Sequence, residues 1–271
     1  MKLYDQHLHS RHSVDSNADP VANCERALAA GLAGLTFTEH YDMHPRDWDR
    51  CRWDYDAIAA TIDGLRRRFS PELWIGFGIE VDYQPEMIEE TLDYLDRHPF
   101  DLVLLSVHWI GGRPPREWRE IGAEAMRRAY LATLRGAADL CRELAAGGRR
   151  PFDVLGHLDY VKRYLRRDWN VPMRATEPVV LDPILQALID AGVVPEINTA
   201  GMRRPEDESY PAWAILERYR ELGGRAVSIG SDAHHSRDIG AAFGEVAERL
   251  QAIGFEGEAV FRERVCSIVP W

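Results

Sequence analysis

The stretch Leu3-Tyr4-Asp5-Gln6-His7-Leu8-His9 has the mixed apolar character of a short strand and ends in two histidines. Six more short apolar runs follow it along the chain, and several of them are rich in the β-branched residues that strands favour. The seven predicted strands are Leu3–His7, Gly34–Thr38, Leu73–Ile79, Leu102–Val107, Phe152–Gly156, Val193–Ile197 and Arg225–Ile229. The fold class then depends on what separates these strands.

Longer segments with helical periodicity lie between the strands. The predicted helices are Pro20–Ala30, Tyr55–Phe69, Pro85–Asp96, Gly122–Ala146, Thr176–Ala191 and Ala212–Leu222. Asp19 before Pro20 has the signature of an N-cap and a first-turn proline, and Asp238 is expected to cap a last helix that runs to about Ile253. Strands that alternate with helices in this way predict βα units and an α/β fold with a parallel sheet.

Length and composition favour one globular domain over residues 1–271, since a single α/β barrel of this size is ordinary. No apolar run approaches the length of a membrane span, and the first residues lack the pattern of a secretory signal, so we expect a cytoplasmic protein. The four widely spaced cysteines fit reduced thiols better than disulfides or a thiolate metal site: Cys24, Cys51, Cys141 and Cys266.

The formal net charge of −11 argues against a broad grip on nucleic acid, because that interaction relies on clustered Lys and Arg. It does not exclude a small anionic substrate. Bound divalent cations can be the largest charges in a site and can reverse the sign of the local field. The segment from His44 to Trp53 is aromatic and charged without clear periodicity, and is expected to be a long loop near the site.

Histidines and carboxylates fall at the C-terminal ends of the predicted strands. The residues in these positions are His7, His9, Glu39, His40, Glu80, His108, His157, Asp232 and His234. The strand C-termini of a parallel barrel meet at one rim, so these side chains are expected to face a common cavity. His7 and His9 are two residues apart and therefore point to the same face of their strand.

A ligand set of imidazoles and carboxylates suits zinc, iron or manganese, and a carboxylate can bridge two ions about 3.5 to 4 Å apart. One histidine beside a strand is more often a core or rim residue than a ligand. Six of the ten histidines at strand ends are better explained as a multinuclear metal centre. Of the other four, His12 and His235 are expected to line the cavity or to hydrogen-bond to ligands, while His44 and His98 are expected in loops.

These motifs, in this order, resemble the polymerase-and-histidinol-phosphatase superfamily, and within it the monofunctional histidinol phosphatases. The resemblance covers nearly the whole chain. The segments that carry it are His7-Leu8-His9-Ser10, Thr38-Glu39-His40, Gly78-Ile79-Glu80, Ser106-Val107-His108-Trp109, Gly156-His157-Leu158-Asp159, Glu196-Ile197-Asn198-Thr199-Ala200-Gly201, Tyr210-Pro211 and Gly230-Ser231-Asp232-Ala233-His234.

The resemblance implies a distorted (β/α)₇ TIM-like barrel, formed by a single metallophosphatase domain with its active site at the C-terminal rim. It also implies two to three divalent transition metal ions. The first would be held by His7, His9, Glu80 and Asp232, the second by Glu80 as a bridge with His108 and His157, and the third by Asp15, His40 and His234. Two positions depart from the family pattern, which often has histidine at the place of Asp15 and phenylalanine at that of Trp109.

By the same resemblance, the activity would be hydrolysis of L-histidinol phosphate to L-histidinol and phosphate, a step of histidine biosynthesis. The expected nucleophile is a hydroxide that bridges two ions, with Glu80 as the bridging carboxylate. The leaving alkoxide would be protonated by Asp232, by His234 or by a metal-bound water. Arg163 and Arg203 are the candidate phosphate clamps, because a guanidinium matches phosphate with a fork of donors.

Alternatives remain open for both the substrate and the arginines. Another small phosphoester, such as a nucleotide or a sugar phosphate, would require the same chemistry, and a non-catalytic metal-binding module is a further possibility. Arg163 lies in a basic run that ends at Arg167, so a solvated surface charge is the competing interpretation for this residue.

Overall fold

Within residues 1–46, 51, 53–169 and 178–271, which the computed structural model describes, seven parallel strands pair in chain order. They are β1 (Tyr4–Leu8), β2 (Gly34–Tyr41), β3 (Trp74–Asp82), β4 (Leu102–Ser106), β5 (Val154–Leu155), β6 (Val194–Asn198) and β7 (Ser228–Gly230). Each overlaps one of the predicted strands. Each of these seven strands lies in the interior, where its backbone groups pair with a neighbouring strand on either side.

The first and last strands meet and close the sheet. The Asp232 N–H donates to the His7 carbonyl at 2.7 Å, and the His9 N–H donates to the Ala233 carbonyl at 2.9 Å. Leu8 and Ala233 form a parallel bridge between these two segments. The sheet is thus a barrel of seven strands, which confirms the predicted (β/α)₇ class and brings the ends of β1 and β7 together.

Helices connect the strands and cover the barrel from outside. They are α1 (Pro20–Ala29), α2 (Tyr55–Phe69), α3 (Ile88–Arg97), α4 (Ala123–Ala146), α5 (Lys162–Trp169), α6 (Pro178–Ala191), α7 (Trp213–Glu221) and α8 (Phe243–Ile253). Most were predicted, but α5 was not. The predicted helix start at Thr176 lies outside the described residues, as do residues 47–50 and 52 of the predicted loop. No helix among the described residues is both long and apolar enough to cross a membrane.

The N-terminus of α1 has the predicted cap. Asp19 has extended backbone geometry, its side chain accepts a hydrogen bond from the Val21 N–H at 3.2 Å, and Pro20 occupies the first turn. We expect Asp19→Ala to lower the free energy of unfolding by about 1 kcal/mol, since it leaves a helix N–H without its acceptor. Chemical denaturation monitored by circular dichroism measures this change. Asp19→Asn should retain most of the stability, and an equal loss in both variants would contradict the capping role.

The predicted cap at Asp238 is wrong. Asp238 ends a short 3₁₀ turn, and α8 begins only at Phe243. Two residues with positive φ, Gly240 at 69° and Ala242 at 65°, turn the chain between them. Asp238 is therefore too far from the first N–H groups of α8, and its carboxylate lies 3.8 Å from the Arg203 guanidinium instead.

A C-terminal hairpin that the sequence patterns did not predict closes the N-terminal end of the barrel. Its strands β8 (Gly257–Arg262) and β9 (Val265–Pro270) are antiparallel. Ala259 and Phe261 pack against residues at the starts of the barrel strands: Leu102, Leu104, Val154 and Val194. The Phe261 N–H donates to the Gln6 side chain at 2.9 Å. One end of the barrel is thus plugged by apolar side chains, and the opposite rim is where the polar residues gather.

The four cysteines are free, as predicted. Cys24 and Cys141 are buried in the apolar core, and burial raises the pKa of each thiol to about 12. Both therefore act as small packing residues and are poor nucleophiles.

Candidate metal centre

The predicted ligands converge at the C-terminal rim around Glu80, which is buried at the end of β3. Three histidines face its Oε2 atom. The distances from Oε2 are 3.3 Å to His7 Nε2, 3.4 Å to His9 Nε2 and 3.0 Å to His40 Nδ1. Side chains from β1, β2 and β3 therefore meet at one carboxylate oxygen.

The other oxygen, Glu80 Oε1, faces a different pair of histidines. It lies 3.1 Å from His157 Nε2 and 3.5 Å from His108 Nε2. The Ser106 hydroxyl also donates to this oxygen. Because each carboxylate oxygen has its own group of imidazoles, Glu80 has the placement that the predicted bridging role requires.

Asp232 lies beside the first group. Its Oδ1 atom is 3.4 Å from His9 Nε2 and 3.8 Å from His7 Nε2. The backbone at Asp232 and His157 has positive φ, at 51° and 24°. Such conformations are unfavourable for residues other than glycine and are concentrated at functional sites, where the surrounding structure holds them in place.

Asp15, His40 and His234 form the outer part of the centre. Asp15 Oδ2 lies 2.9 Å from His234 Nε2 and 3.5 Å from His40 Nε2. His40 therefore faces both parts of the centre, since its Nδ1 atom points to Glu80. Three overlapping groups have ligand atoms within 4.8 Å of one another: His7, His9 and Asp232; His40, Glu80 and His108; and His9, His40 and His234. The residues form one connected cluster.

The donor set fits divalent transition metal ions. Glu80 Oε2, His40 Nδ1 and His157 Nδ1 are buried and have no well-formed hydrogen bond to any residue that the structure describes, although the Glu80 and His40 atoms lie 3.0 Å apart. A buried polar atom without a partner costs about 1 to 3 kcal/mol, and more when it is charged. Ions held between imidazole nitrogens and carboxylate oxygens would satisfy the Glu80 and His40 atoms, and nitrogen with oxygen is the donor chemistry that zinc, iron and manganese accept.

Electrostatics favour the ionised carboxylates that metal binding needs. Burial acts to raise the pKa of Glu80, but His7 and His40 outweigh it and hold this pKa well below its usual range. The pKa of Asp232 is likewise held low against burial, chiefly by His7. Burial lowers the pKa of His108 to about 3, although Glu80 opposes this shift. His108 is thus a neutral imidazole with a lone pair to offer.

Several residues that sequence reasoning did not assign support the ligands. The Ser13 hydroxyl lies 3.1 Å from His9 Nδ1 and donates to Glu39 Oε2 at 2.6 Å. Asp82 accepts from the His108 N–H. Glu39 directly precedes the predicted ligand His40 in the Thr38-Glu39-His40 motif, and this adjacency is the sequence signal that could have indicated its supporting role. The roles of Ser13 and Asp82 depend on contacts between strands, which the sequence does not display.

A cavity of about 800 Å³ opens above the cluster. It is lined by predicted ligands and by arginines: Arg116, Arg163, Arg167, Arg203, Arg204 and Arg237. The wall of the cavity is therefore rich in guanidinium groups although the chain carries a formal net charge of −11. Such a wall suits a small anionic ligand.

Both predicted clamp arginines lie in this wall. Arg163 donates to the Tyr160 hydroxyl at 3.1 Å, and its guanidinium lies 5.7 Å from the ring centre of Tyr164. Arg203 donates to the Ser231 carbonyl at 2.7 Å and to the Thr199 hydroxyl at 3.1 Å. Each guanidinium is held in place by neighbours. The alternative of a freely solvated surface charge does not describe Arg163.

His44, His98 and His235 are placed as expected, whereas the expectation that His12 lines the cavity or hydrogen-bonds to a ligand is wrong. His12 contacts the Thr61 hydroxyl, and His98 contacts the Tyr94 carbonyl. His235 lines the cavity. His44 stacks on Trp109 with 3.7 Å between ring centres, which places an aromatic pair at the cavity wall. None of these four histidines belongs to a candidate metal-binding group within the described part of the chain.

Comparison with known families supports this arrangement. The sequence profile of the PHP domain matches residues 5–200, a segment that contains all the predicted ligands except Asp232 and His234. The chain belongs to the PHP domain family. Membership confirms the resemblance inferred from the motifs. The matched segment runs from β1 to just after β6.

Relatives of this PHP chain match it over nearly its full length. The protein named probable histidinol-phosphatase of Deinococcus radiodurans is 31% identical, and the match covers 97% of each chain. The crystal structure of histidinol phosphate phosphatase from Lactococcus lactis, complexed with zinc, L-histidinol and phosphate, is 25% identical with a TM-score of 0.80. That match covers 98% of this chain and 99% of the other. A crystal structure of a protein from Listeria monocytogenes, at 18% identity and a TM-score of 0.75, shares the fold, and the match covers 89% of this chain and 99% of the other.

Proposed function

We propose that this chain is a metal-dependent phosphomonoesterase that hydrolyses L-histidinol phosphate to L-histidinol and phosphate. The observation that carries the proposal is the histidine and carboxylate cluster around Glu80, at the floor of a cavity lined with arginines. The full-length similarity to histidinol phosphatases supports the choice of substrate. The free thiols are in keeping with a cytoplasmic setting for this step of histidine biosynthesis.

Nine side chains would hold two to three divalent ions such as zinc, iron or manganese. They are His7, His9, Asp15, His40, Glu80, His108, His157, Asp232 and His234. When bound, such ions act as Lewis acids and lower the pKa of water towards neutrality. The protein contributes the placement of these ligands and a cavity of limited size above them.

The arginines bind and orient the phosphate group. Arg163 approaches from the wall formed by Tyr160 and Tyr164, and Arg203 approaches from the turn after β6. Because hydrogen bonds already hold both guanidiniums, little side-chain entropy is lost when the substrate binds. The proton for the leaving alkoxide is assigned to Asp232 or His234, which both line the cavity.

Steady-state kinetics test the substrate assignment. We expect kcat/KM for L-histidinol phosphate to exceed that for a nucleoside monophosphate, a sugar phosphate and p-nitrophenyl phosphate by at least about tenfold, which corresponds to about 1.4 kcal/mol of transition-state binding. The enzyme is assayed with zinc and with manganese at measured metal content. Equal rates across the panel would contradict the substrate, and absence of turnover in the fully loaded protein would favour a non-catalytic metal-binding module.

A further inference from the structure

Glu196 is a buried carboxylate on β6 that belongs to no group of predicted ligands, yet it contacts two of them. Its Oε1 atom lies 2.6 Å from His7 Nδ1. Its Oε2 atom accepts from the His157 N–H at 2.8 Å and from Asn198 Nδ2 at 3.2 Å. His7 comes from β1 and His157 from the turn after β5, so the Glu196 side chain links predicted ligands from two separate parts of the barrel.

Both groups that contact Glu196 Oε2 are hydrogen-bond donors. The His157 group is a backbone N–H, which can only donate. The Asn198 amide is oriented by the Ala200 N–H, which donates to Asn198 Oδ1 at 2.9 Å. Asn198 Nδ2 therefore faces Glu196, and it also lies 3.3 Å from Asp232 Oδ2. Glu196 Oε2 is thus occupied by two donors, and Oε1 is left for His7.

This arrangement determines the tautomer of His7. As a carboxylate oxygen, Oε1 accepts, so His7 Nδ1 carries the hydrogen and donates it. In the neutral ring, which is the form that binds a metal ion, the lone pair then lies on His7 Nε2, the atom 3.3 Å from Glu80 Oε2 and 3.2 Å from His9 Nε2. A carboxylate partner of this kind orients a ligating histidine and raises its basicity.

The glycine at position 230 keeps this contact closed. A Cβ atom at Gly230 would lie 2.2 Å from Glu196 Oε1 and 2.5 Å from His7 Cβ. No side chain can be added there unless Glu196 or His7 moves. The hydrogen bond that the His157 N–H donates to Glu196 also supports the unfavourable backbone of His157, whose φ is 24°.

We propose that Glu196 is a positioning residue that sets two metal ligands at once. It holds His7 in the tautomer that presents Nε2 to the centre, and it holds the backbone of His157. The ions expected at these two ligands are therefore coupled through one carboxylate. The inference rests on the metal centre of the proposed function, but not on the identity of the substrate.

Replacement of Glu196 by Gln is the direct test, because an amide keeps the size of the side chain but has only one acceptor. Its NH₂ group must then face the His7 Nδ1–H or the donors at Oε2, so one contact is lost. Loss of such a partner weakens metal affinity by roughly tenfold to a hundredfold. We expect zinc-loaded Glu196→Gln to release two ions per chain at a chelator concentration that leaves the wild type loaded. Chelator titration followed by elemental analysis measures this.

Glu39→Gln is the matched control. Glu39 is as buried as Glu196, but it reaches the centre through Ser13, whose hydroxyl contacts the His9 side chain and accepts from the backbone N–H of His40. We expect this variant to weaken the ion at His9 and to leave the ion at His157 in place. If Glu196→Gln loses a single ion like the control, or keeps wild-type zinc affinity while only its melting temperature falls, Glu196 is merely structural and the proposal is wrong.

Gly230→Ala provides a second, independent variant in case Glu196→Gln does not fold. The added methyl group forces Glu196 and His7 apart while both side chains remain, so the same loss of zinc is expected. Wild-type zinc affinity in folded Gly230→Ala would overturn the proposal. Both measurements read zinc retention. If the variants lose zinc as expected but the zinc-loaded wild type does not hydrolyse L-histidinol phosphate, the proposed function is refuted and the role of Glu196 remains.

Discussion

Glu80→Gln is expected to lower kcat/KM for L-histidinol phosphate by about a thousandfold, because metal ions contribute several kcal/mol to such reactions and each tenfold is about 1.4 kcal/mol. The two oxygens of Glu80 face two separate groups of histidines, at 3.0 to 3.4 Å for Oε2 and at 3.1 to 3.5 Å for Oε1. An amide at this position offers one oxygen ligand instead of two. The side chain can then no longer supply an oxygen ligand to each of the two histidine groups.

Asp15→Asn is the comparison for this prediction. The Asp15 side chain is 49% exposed and contacts His40 and His234, at the outer part of the cluster. We expect a loss of about tenfold, as for a weakened ligand at one ion. Elemental analysis should find two to three equivalents of metal in the wild type and at least two in Asp15→Asn. Near-normal turnover and metal content in Glu80→Gln would show that the bridging role is misassigned.

Arg203→Ala is expected to lower kcat/KM by tenfold to a hundredfold or more. A hydrogen bond from a charged donor to phosphate contributes on the order of 1.5 to 3 kcal/mol, and a guanidinium keeps further N–H groups free while it holds the Ser231 carbonyl and the Thr199 hydroxyl. Arg203→Lys should restore only part of the activity, since an ammonium cannot reproduce the fork of donors. Steady-state kinetics with both variants measure the effect.

Two controls separate phosphate binding from damage to the centre. Arg203 holds the carbonyl of Ser231, the residue before the predicted ligand Asp232, so metal content must be measured in each variant. Arg237→Ala removes an arginine that also lines the cavity but whose side chain is 80% exposed, and it should change kcat/KM little. Unchanged kinetics in Arg203→Ala would assign the phosphate to Arg163, for which the same substitution is expected to be costly.

Physical reasons explain why the sequence patterns missed the C-terminal hairpin and α5. The turn between β8 and β9 is made by Glu263 and Arg264, with φ of 49° and 67°. Hairpin turns of this kind normally have Asn or Gly at these positions, so no turn signal marks the hairpin. The segment Lys162–Trp169 is so rich in charge that it resembles a surface run, although Tyr164 and Leu165 are buried on its inner face.

Local patterns did determine the barrel and which histidines and carboxylates share its rim. Strand and helix periods depend on the pleat and on the helical turn, which are properties of neighbouring residues, and residues at the ends of parallel strands necessarily share one rim. For this reason His7, His9, Glu80, His108 and Asp232 could be named from their positions after predicted strands. The PHP family match confirms the resemblance carried by the same motifs.

Tertiary structure alone decided which atoms face one another. Whether Glu80 presents one oxygen to each group of histidines, and whether Glu196 reaches both His7 and His157, depends on strand register and on side-chain rotamers. Glu196 lies 189 residues from His7 along the chain. The sequence of β6 shows a carboxylate on a buried strand but not its partners, because its hydrogen bonds exist only when β1, β5 and β7 close around it.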